Sequence, residues 1–280
     1  MEASDIAAGL RPLDVSVSSR AYLEAMWRRR DFAVAMPAET VRARHQNTFL
    51  GNVWHLVNPL LTVAVYLIVF GGLLGVNRGI DNYLLWLTTG VFAYRLTSNC
   101  VLGGATSISS NLGLMRAVRF PRALLPVSVV IGEVMTFTFE LGAVALVALG
   151  TGEGVSRRWL ALPLVLIVHS MFNLGGAFIA ARLNDSYRDM QQIIPFVFRL
   201  MQFLSGVMYP IERYLNTSHA WLHRLIVWNP IVRILELYRW VFLGTPIKMM
   251  ETFQSVLLCA AILVVGFRFF VAAEHRYGRQ

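Results

Sequence analysis

The chain is constrained above all by a basic segment set between two apolar runs that are too long for the interior of a soluble domain. The segment is NLGLMRAVRFPRALLP, Asn111 to Pro126, and it carries Arg116, Arg119 and Arg122. Runs of that length are solvated by lipid, and arginines concentrated between them place the segment on the cytoplasmic side of a membrane. Leu112 to Phe120 reads as one short helix, ended by Pro121, whose ring disfavours the helical conformation of the residue before it. A short helix held between two membrane helices is a lever on which something outside the bilayer can push.

Composition agrees. Of 280 residues, 56% are hydrophobic and 15% charged, with a mean hydropathy of +0.56, which leaves too little polar surface to cover a water-soluble globule. The fold class is therefore an all-α integral membrane protein. A net charge of +9 would suggest nucleic acid in a soluble protein. Here the arginines flank apolar runs and no nucleic-acid motif accompanies them, so anionic lipids and topology account for the charge and no nucleic acid is expected. Cys100 and Cys259 fall inside apolar runs and read as small hydrophobes rather than a disulfide framework.

Residues 1–52 read as a cytoplasmic tail without a cleaved signal peptide, followed by an amphipathic interface helix. In that helix Trp27 sits at headgroup depth, Arg28, Arg29, Arg30, Arg42 and Arg44 face phosphates, and Pro37 divides it in two. Residues 53–280 read as six spans: Val53 to Leu74, Tyr83 to Ile108, Leu124 to Leu149, Trp159 to Ala181, Ile193 to Tyr209 and Phe253 to Ala273. The second contains Arg95, Ser98 and Asn99 and so faces protein or a wet cavity. Between the fifth and sixth spans, the apolar runs Trp221 to Trp228 and Ile231 to Leu243 are each too short to cross and read as re-entrant helices split by Asn229 and Pro230. With the amino end inside, most arginines fall on inner segments, which places both termini in the cytoplasm.

Little catalytic chemistry is available. The single lysine, Lys248, follows no glycine-rich loop, so the chain does not split ATP by the P-loop mechanism and is not expected to be an enzyme. The six histidines are scattered, and the pair His219 and His223 lacks an adjacent acid, so no metal site is expected. The intramembrane polar residues Arg95, Glu133, Glu140 and Arg199 leave two readings open. Glu133 and Glu140, two helical turns apart, project from nearly the same face. Either they relay protons, as in a proton-coupled secondary transporter, or they pair with Arg95 or Arg199 inside the bundle. Neither broken half-helices nor an internal repeat supports the first reading.

The order of these features resembles the ABC-2 type permeases of polysaccharide export, the Wzm-like membrane subunits for O-antigen, teichoic acid or capsule precursors. The matching stretches are RRRDF at Arg28, VRARHQNTFLGNVW at Val41, VRFPRALLP at Val118, NDSYRDM at Asn184, SGVMYPIERY at Ser205 and WNPIVRILELYRWVFLG at Trp228. The arginine-rich composition is similar to that of the exporters of lipid-linked galactan. One departure is that His45 and Gln46, preceded by Arg44, stand where the family usually has a basic residue after a tyrosine, which gives that helix a different set of headgroup contacts.

The resemblance implies that Asn111, Leu114, Arg116, Arg119, Phe120 and Arg122 form the coupling helix against an ATPase subunit. Tyr187, Arg188 and Asp189 become a second cytoplasmic contact. Tyr209, Pro210, Trp228, Asn229, Pro230 and Arg239 belong to an outer gate. The implied partners are a Wzt-like nucleotide-binding subunit that binds ATP and magnesium, a second copy of this chain, anionic lipids and a lipid-linked glycan. The implied location is the bacterial inner membrane. No cofactor is implied in this chain itself.

Overall fold

The computed structural model describes residues 19–43, 54–77, 79–118, 120–210 and 228–277, with the side chains of residues 19–21, 37–43, 55 and 275 outside that description. Among the described residues every regular element is helical. The helices are α1 (Ser19–Arg28), α2 (Arg30–Ala43), α3 (Trp54–Tyr66), α4 (Tyr83–Thr106), α5 (Leu112–Ala117), α6 (Leu124–Gly150), α7 (Leu162–Ser186), α8 (Met190–Leu204), α9 (Pro230–Leu243) and α10 (Met249–Val271). The expected features at Arg44, Arg119, His219, His223 and the run beginning at Trp221 lie outside the described residues.

α4 is the axis of the bundle, and α3, α6, α7, α8 and α9 all pack against it. Leu85, Leu87, Phe92, Leu96 and Cys100 are buried along its length. Asn82 caps its start, its side-chain oxygen accepting from the Leu85 N–H at 3.2 Å, which satisfies one of the free donors of the first turn. α10 lies along α7, and α2 lies along α6.

Among the described residues, four helical segments are long and apolar enough to cross a membrane: Leu56–Leu73, Leu124–Gly150, Arg157–Ser186 and Met249–Val271. The other two expected spans differ in kind. α4 has 24 residues, enough to cross, but it is surrounded by protein and so carries polar side chains that lipid would not tolerate. α8 has only 15 residues and stops at Leu204 rather than Tyr209, because Gly206 turns the chain with a φ of +65° and residues 205–208 fold inward as a buried turn.

Other boundaries also move. The interface helix breaks at Arg29, not at Pro37, which lies inside α2. Asp31 in the first turn of α2 favours a helix start there. The short helix after α4 ends at Ala117, three residues before Phe120, because the β-branched Val118 is already extended (φ −133°, ψ 137°). The first span is not α-helical throughout: Leu67–Leu73 is a π-helix running through Gly71 and Gly72, residues of weak helix propensity. α7 runs on through Arg182 to Ser186, so the polar connection to α8 shrinks to Tyr187, Arg188 and Asp189.

The seam between α7 and α10 depends on glycine. A Cβ on Gly175 would lie 2.7 Å from the backbone of Ile262, and one on Gly266 would run into the backbone of Gly175. Backbone cannot move aside as a side chain can, and close approach through small residues is how membrane helices gain packing contact. Gly175→Leu is expected to cost at least about 2 kcal/mol and lower the thermal unfolding midpoint in detergent. Gly142→Ala, where a Cβ meets nothing within 4 Å, should leave that midpoint nearly unchanged.

Candidate functional site: a coupling end and a polar membrane face

At the end of the bundle where α4 stops, Ser109–Asn111 form one 3₁₀ turn and α5 follows. Asn111 donates through Nδ2 to the Ser107 carbonyl at 2.8 Å, fixing the direction in which α5 leaves. Leu114 is half-buried and Arg116 is exposed on α5, and the Phe120 ring meets Phe32 of α2 with centroids 5.1 Å apart. Arg122 turns inward. Its backbone N–H donates to Glu274 Oε1 at 3.0 Å, and its guanidinium donates to the Glu274 carbonyl. Next to it, the Ala123 N–H donates to the Tyr22 hydroxyl at 3.2 Å. Tyr22, Ile108, Ala123, Phe178, Phe270 and Tyr277 form a small apolar core under this knot, separate from the main one. The basic segment is therefore tied both to α1 and to the turn after α10.

The residues expected to make a second cytoplasmic contact lie at the same end. Asn184 donates through Nδ2 to the Ala105 carbonyl at 2.8 Å, bringing the end of α7 beside the end of α4. Beyond it Tyr187, Arg188 and Asp189 are exposed. On α1, Trp27 is 69% exposed with Arg30 stacked 5.1 Å from its ring centre, and Arg28 and Arg29 are exposed as well, while Tyr22 points inward. Arg42 lies on α2, its side chain outside the description.

Burial pushes the Glu274 carboxyl above its ordinary range, against hydrogen bonds from Arg122 and Tyr22 that pull it down. Burial, with the Glu274 carboxylate beside it, also raises the Tyr22 hydroxyl. A carboxyl whose folded value lies above its unfolded one binds its proton more tightly in the folded state. Its stabilising share is thus complete below the unfolded value and is lost as pH rises through the folded one.

Within the membrane the two acids face α4. Glu140 Oε1 accepts from Arg95 at 2.8 Å, and Glu133 Oε2 accepts from Asn99 Nδ2 at 3.0 Å. Arg95 and Asn99 are four residues apart on α4 while the acids are seven apart on α6, so two rungs join one face of each helix. Of the two arginines considered for this pairing, Arg95 makes it, and Arg199 is exposed on α8. Beside the rungs a cavity of about 250 Å³ lies between α3, α4 and α8, lined by Asn58, Thr62, Tyr94, Arg95, Asn99 and Gln202 among others. Amides and hydroxyls predominate there, which is unusual for a surface at membrane depth.

At the far end of the bundle the residues expected in a gate converge on the turn after α8. Asn229 caps α9, with Oδ1 accepting from the Ile231 N–H at 3.0 Å and Nδ2 donating to Ser205 Oγ at 3.3 Å; Pro230 occupies the first helical position. Arg239 donates to the carbonyls of Gly206 at 2.8 Å and Val207 at 3.2 Å, and Tyr83 donates to the Met208 carbonyl at 2.8 Å. Tyr209 donates to the Phe203 carbonyl at 2.6 Å, Pro210 is half-buried, and Trp228 is exposed.

A family model described as ABC-2 type transporter matches residues 34–243, three-quarters of the chain. The chain belongs to the ABC-2 type transporter family. It is 27% identical over 242 residues to an O-antigen export system permease protein RfbA of Myxococcus xanthus, an alignment covering 84% of this chain and 92% of that protein. An RfbA protein of Klebsiella pneumoniae is 24% identical over 250 residues, covering 88% and 93% of the two chains. The polysialic acid transport protein KpsM of Escherichia coli is 22% identical over 204 residues, covering 71% and 76%. For a multi-pass ABC-2 membrane protein, the geometry above supplies an exposed polar end, a polar face inside the membrane and a tied turn at the opposite end.

Sequence reasoning missed Glu274, Asn184 and the buried triad in which His169 lies 2.7 Å from Thr97 Oγ1 and 3.2 Å from the Tyr238 hydroxyl. Glu274 had one visible signal, being the only acid after Glu251 in a basic tail.

Glu274→Ala leaves the Arg122 N–H without its partner and is expected to cost about 1–3 kcal/mol. In the wild type, the Glu274 contribution to stability should be lost as pH is raised above the ordinary carboxylate range, and Glu274→Gln should flatten that slope. Thermal unfolding in detergent across that rise in pH checks both.

Proposed function

We propose that this chain is the membrane-spanning subunit of an ATP-driven exporter that moves a lipid-linked polysaccharide, galactan or O-antigen-like, outward across the bacterial inner membrane. ATP and magnesium bind to a separate, Wzt-like nucleotide-binding subunit. The observation that carries this reading is the side-by-side exposure of Arg116 on α5 and Tyr187, Arg188 and Asp189 after α7 at one end of the bundle, in a chain aligned over most of its length with export permeases. Such a paired surface suits a groove on a partner. The Arg122–Glu274 knot behind it gives the partner something rigid to move.

The chain works as a homodimer of six-pass protomers with both termini cytoplasmic, two of the passes being the protein-shielded α4 and the short α8. A cavity of about 250 Å³ is below the usual size of a small-molecule site and cannot thread a glycan through one bundle. The passage therefore forms between two copies, with the polar faces of α3, α4 and α8 toward it, and the lipid-linked end enters sideways between α3 and α8. The residues before α3 hold the amphipathic helix on anionic headgroups through Trp27 and its arginines. Closure of the ATPase pair on ATP pushes both coupling segments and opens the passage, and hydrolysis resets it. Glu133 and Glu140, held by Asn99 and Arg95, serve the bundle rather than a proton path.

Two measurements test this. Affinity purification of the tagged chain from native membranes should bring down a P-loop ATPase in equal amount with two copies of this chain, and an active complex with a single copy would rule out the dimer. Arg116→Glu places a repelling charge at the contact and should weaken retention of that ATPase about tenfold while the permease still folds. Unchanged retention would remove Arg116 from the interface.

A further inference from the structure

α8 has a fixed side and an open side. Toward the bundle, Ile194 is buried and the Phe198 carbonyl accepts from the Tyr94 hydroxyl of α4. On the open side Gln192, Phe196, Arg199 and Phe203 recur at i, i+4, i+7 and i+11 and so form one stripe along the helix. All four are exposed, Phe196 to 59% and Phe203 to 45%. Gln202, beside the stripe, lines the polar cavity between α3, α4 and α8.

The depth of Arg199 makes its exposure informative. The neighbouring Phe198 is level with Tyr94, which lies about 16 Å along α4 from Tyr83 and about 18 Å from Thr106. An arginine near a helix end can snorkel to the headgroups, but one at the middle of the bundle is beyond that reach. Arg95, on the same level, is matched by Glu140. Arg199 makes no ion pair or hydrogen bond among the described residues. A guanidinium in that condition is too costly in lipid, so the stripe faces a wet space and not acyl chains.

In such a space its counterpart is an oxyanion, because the planar fork of guanidinium donors fits phosphate with two parallel hydrogen bonds. The rest of the stripe is mixed. Phe196 and Phe203, about one turn to either side, offer apolar rings, and Gln192 offers an amide toward the Tyr187–Asp189 end. A molecule with a phosphate between an apolar and a polar part matches all of these.

We propose that Arg199 binds a phosphate at the junction between the lipid and the glycan of the transported substrate, with Phe196 and Phe203 against the apolar chain. This rests on the export reading above, in which α8 faces the passage between two copies.

The test uses the purified full-length chain, with any ATPase that accompanies it, in phosphatidylcholine nanodiscs. The probe is farnesyl phosphate carrying a photoreactive group on its chain, the same labelled farnesol is the uncharged control, and cross-linked peptides are mapped by mass spectrometry. Saturable labelling of α8 by the phosphate and not by the alcohol is expected. The concentration for half-labelling should rise about tenfold in Arg199→Gln and return close to the wild-type value in Arg199→Lys. Since Arg199 is exposed, the thermal midpoint and the number of copies per disc should not change in Arg199→Gln. Loss of the second copy in that variant would make Arg199 a contact between copies and overturn the site. Labelling that ignores Arg199→Gln, or that excess phosphatidylglycerol removes, overturns it too. Labelling that follows Arg199 in a chain without an ATPase partner keeps the site and removes the export reading. An intact two-copy complex with its ATPase, labelled regardless of Arg199, removes the site alone.

Discussion

A helix enclosed on all sides by other helices has to satisfy its polar side chains from within the protein, and α4 sets that condition for the whole bundle. Five of its polar residues reach other parts of the bundle: Arg95 and Asn99 take the acids of α6, Thr97 takes His169 of α7, Tyr94 the Phe198 carbonyl of α8, and Tyr83 the turn after α8. In a medium of low dielectric these pairs matter more for what their loss would leave unmatched than for their own strength. They give the bundle a defined arrangement that apolar contact with lipid, being equally available everywhere, does not provide.

The two ends of α4 are finished in opposite ways. Where it stops, a short exposed helix and an exposed turn are backed by a compact aromatic core and by the Arg122–Glu274 contact, so the surface there is polar and its support is rigid. Where it starts, the chain after α8 is drawn inward by Tyr83, Arg239 and Asn229. The proposed export function calls for such an asymmetry, with one face toward a partner subunit and the other toward whatever leaves the membrane.

Much of this was legible in the residues. The seven-residue spacing of Glu133 and Glu140 put both on one face, and α4 stood out as the run too polar for lipid. The spacing alone left Arg95 and Arg199 as equal partners for the acids, because helix order in a sequence does not say which helix lies beside which. Glu274 was beyond reach for a stronger reason: its partner Arg122 is 152 positions away, and no local pattern links them. The helix ends moved for local reasons that propensity underweights. Val118 prefers extended backbone, Gly206 turns α8 early, and Asp31 starts α2 while Pro37 is accommodated inside it.

The glycine seam between α7 and α10 also bears on how such a bundle can change shape. Backbones in direct contact cannot slide past one another without lifting apart, so these two helices behave as a single plank in any rearrangement. α3 is different. It rests mainly on α4, it widens into a π-helix over Leu67–Leu73, and Leu61, Val65, Ile68 and Leu73 stand open on its outer side. Shape change in this molecule is therefore directed to the α3 edge, with the α7–α10 plank as the fixed frame against which that edge swings.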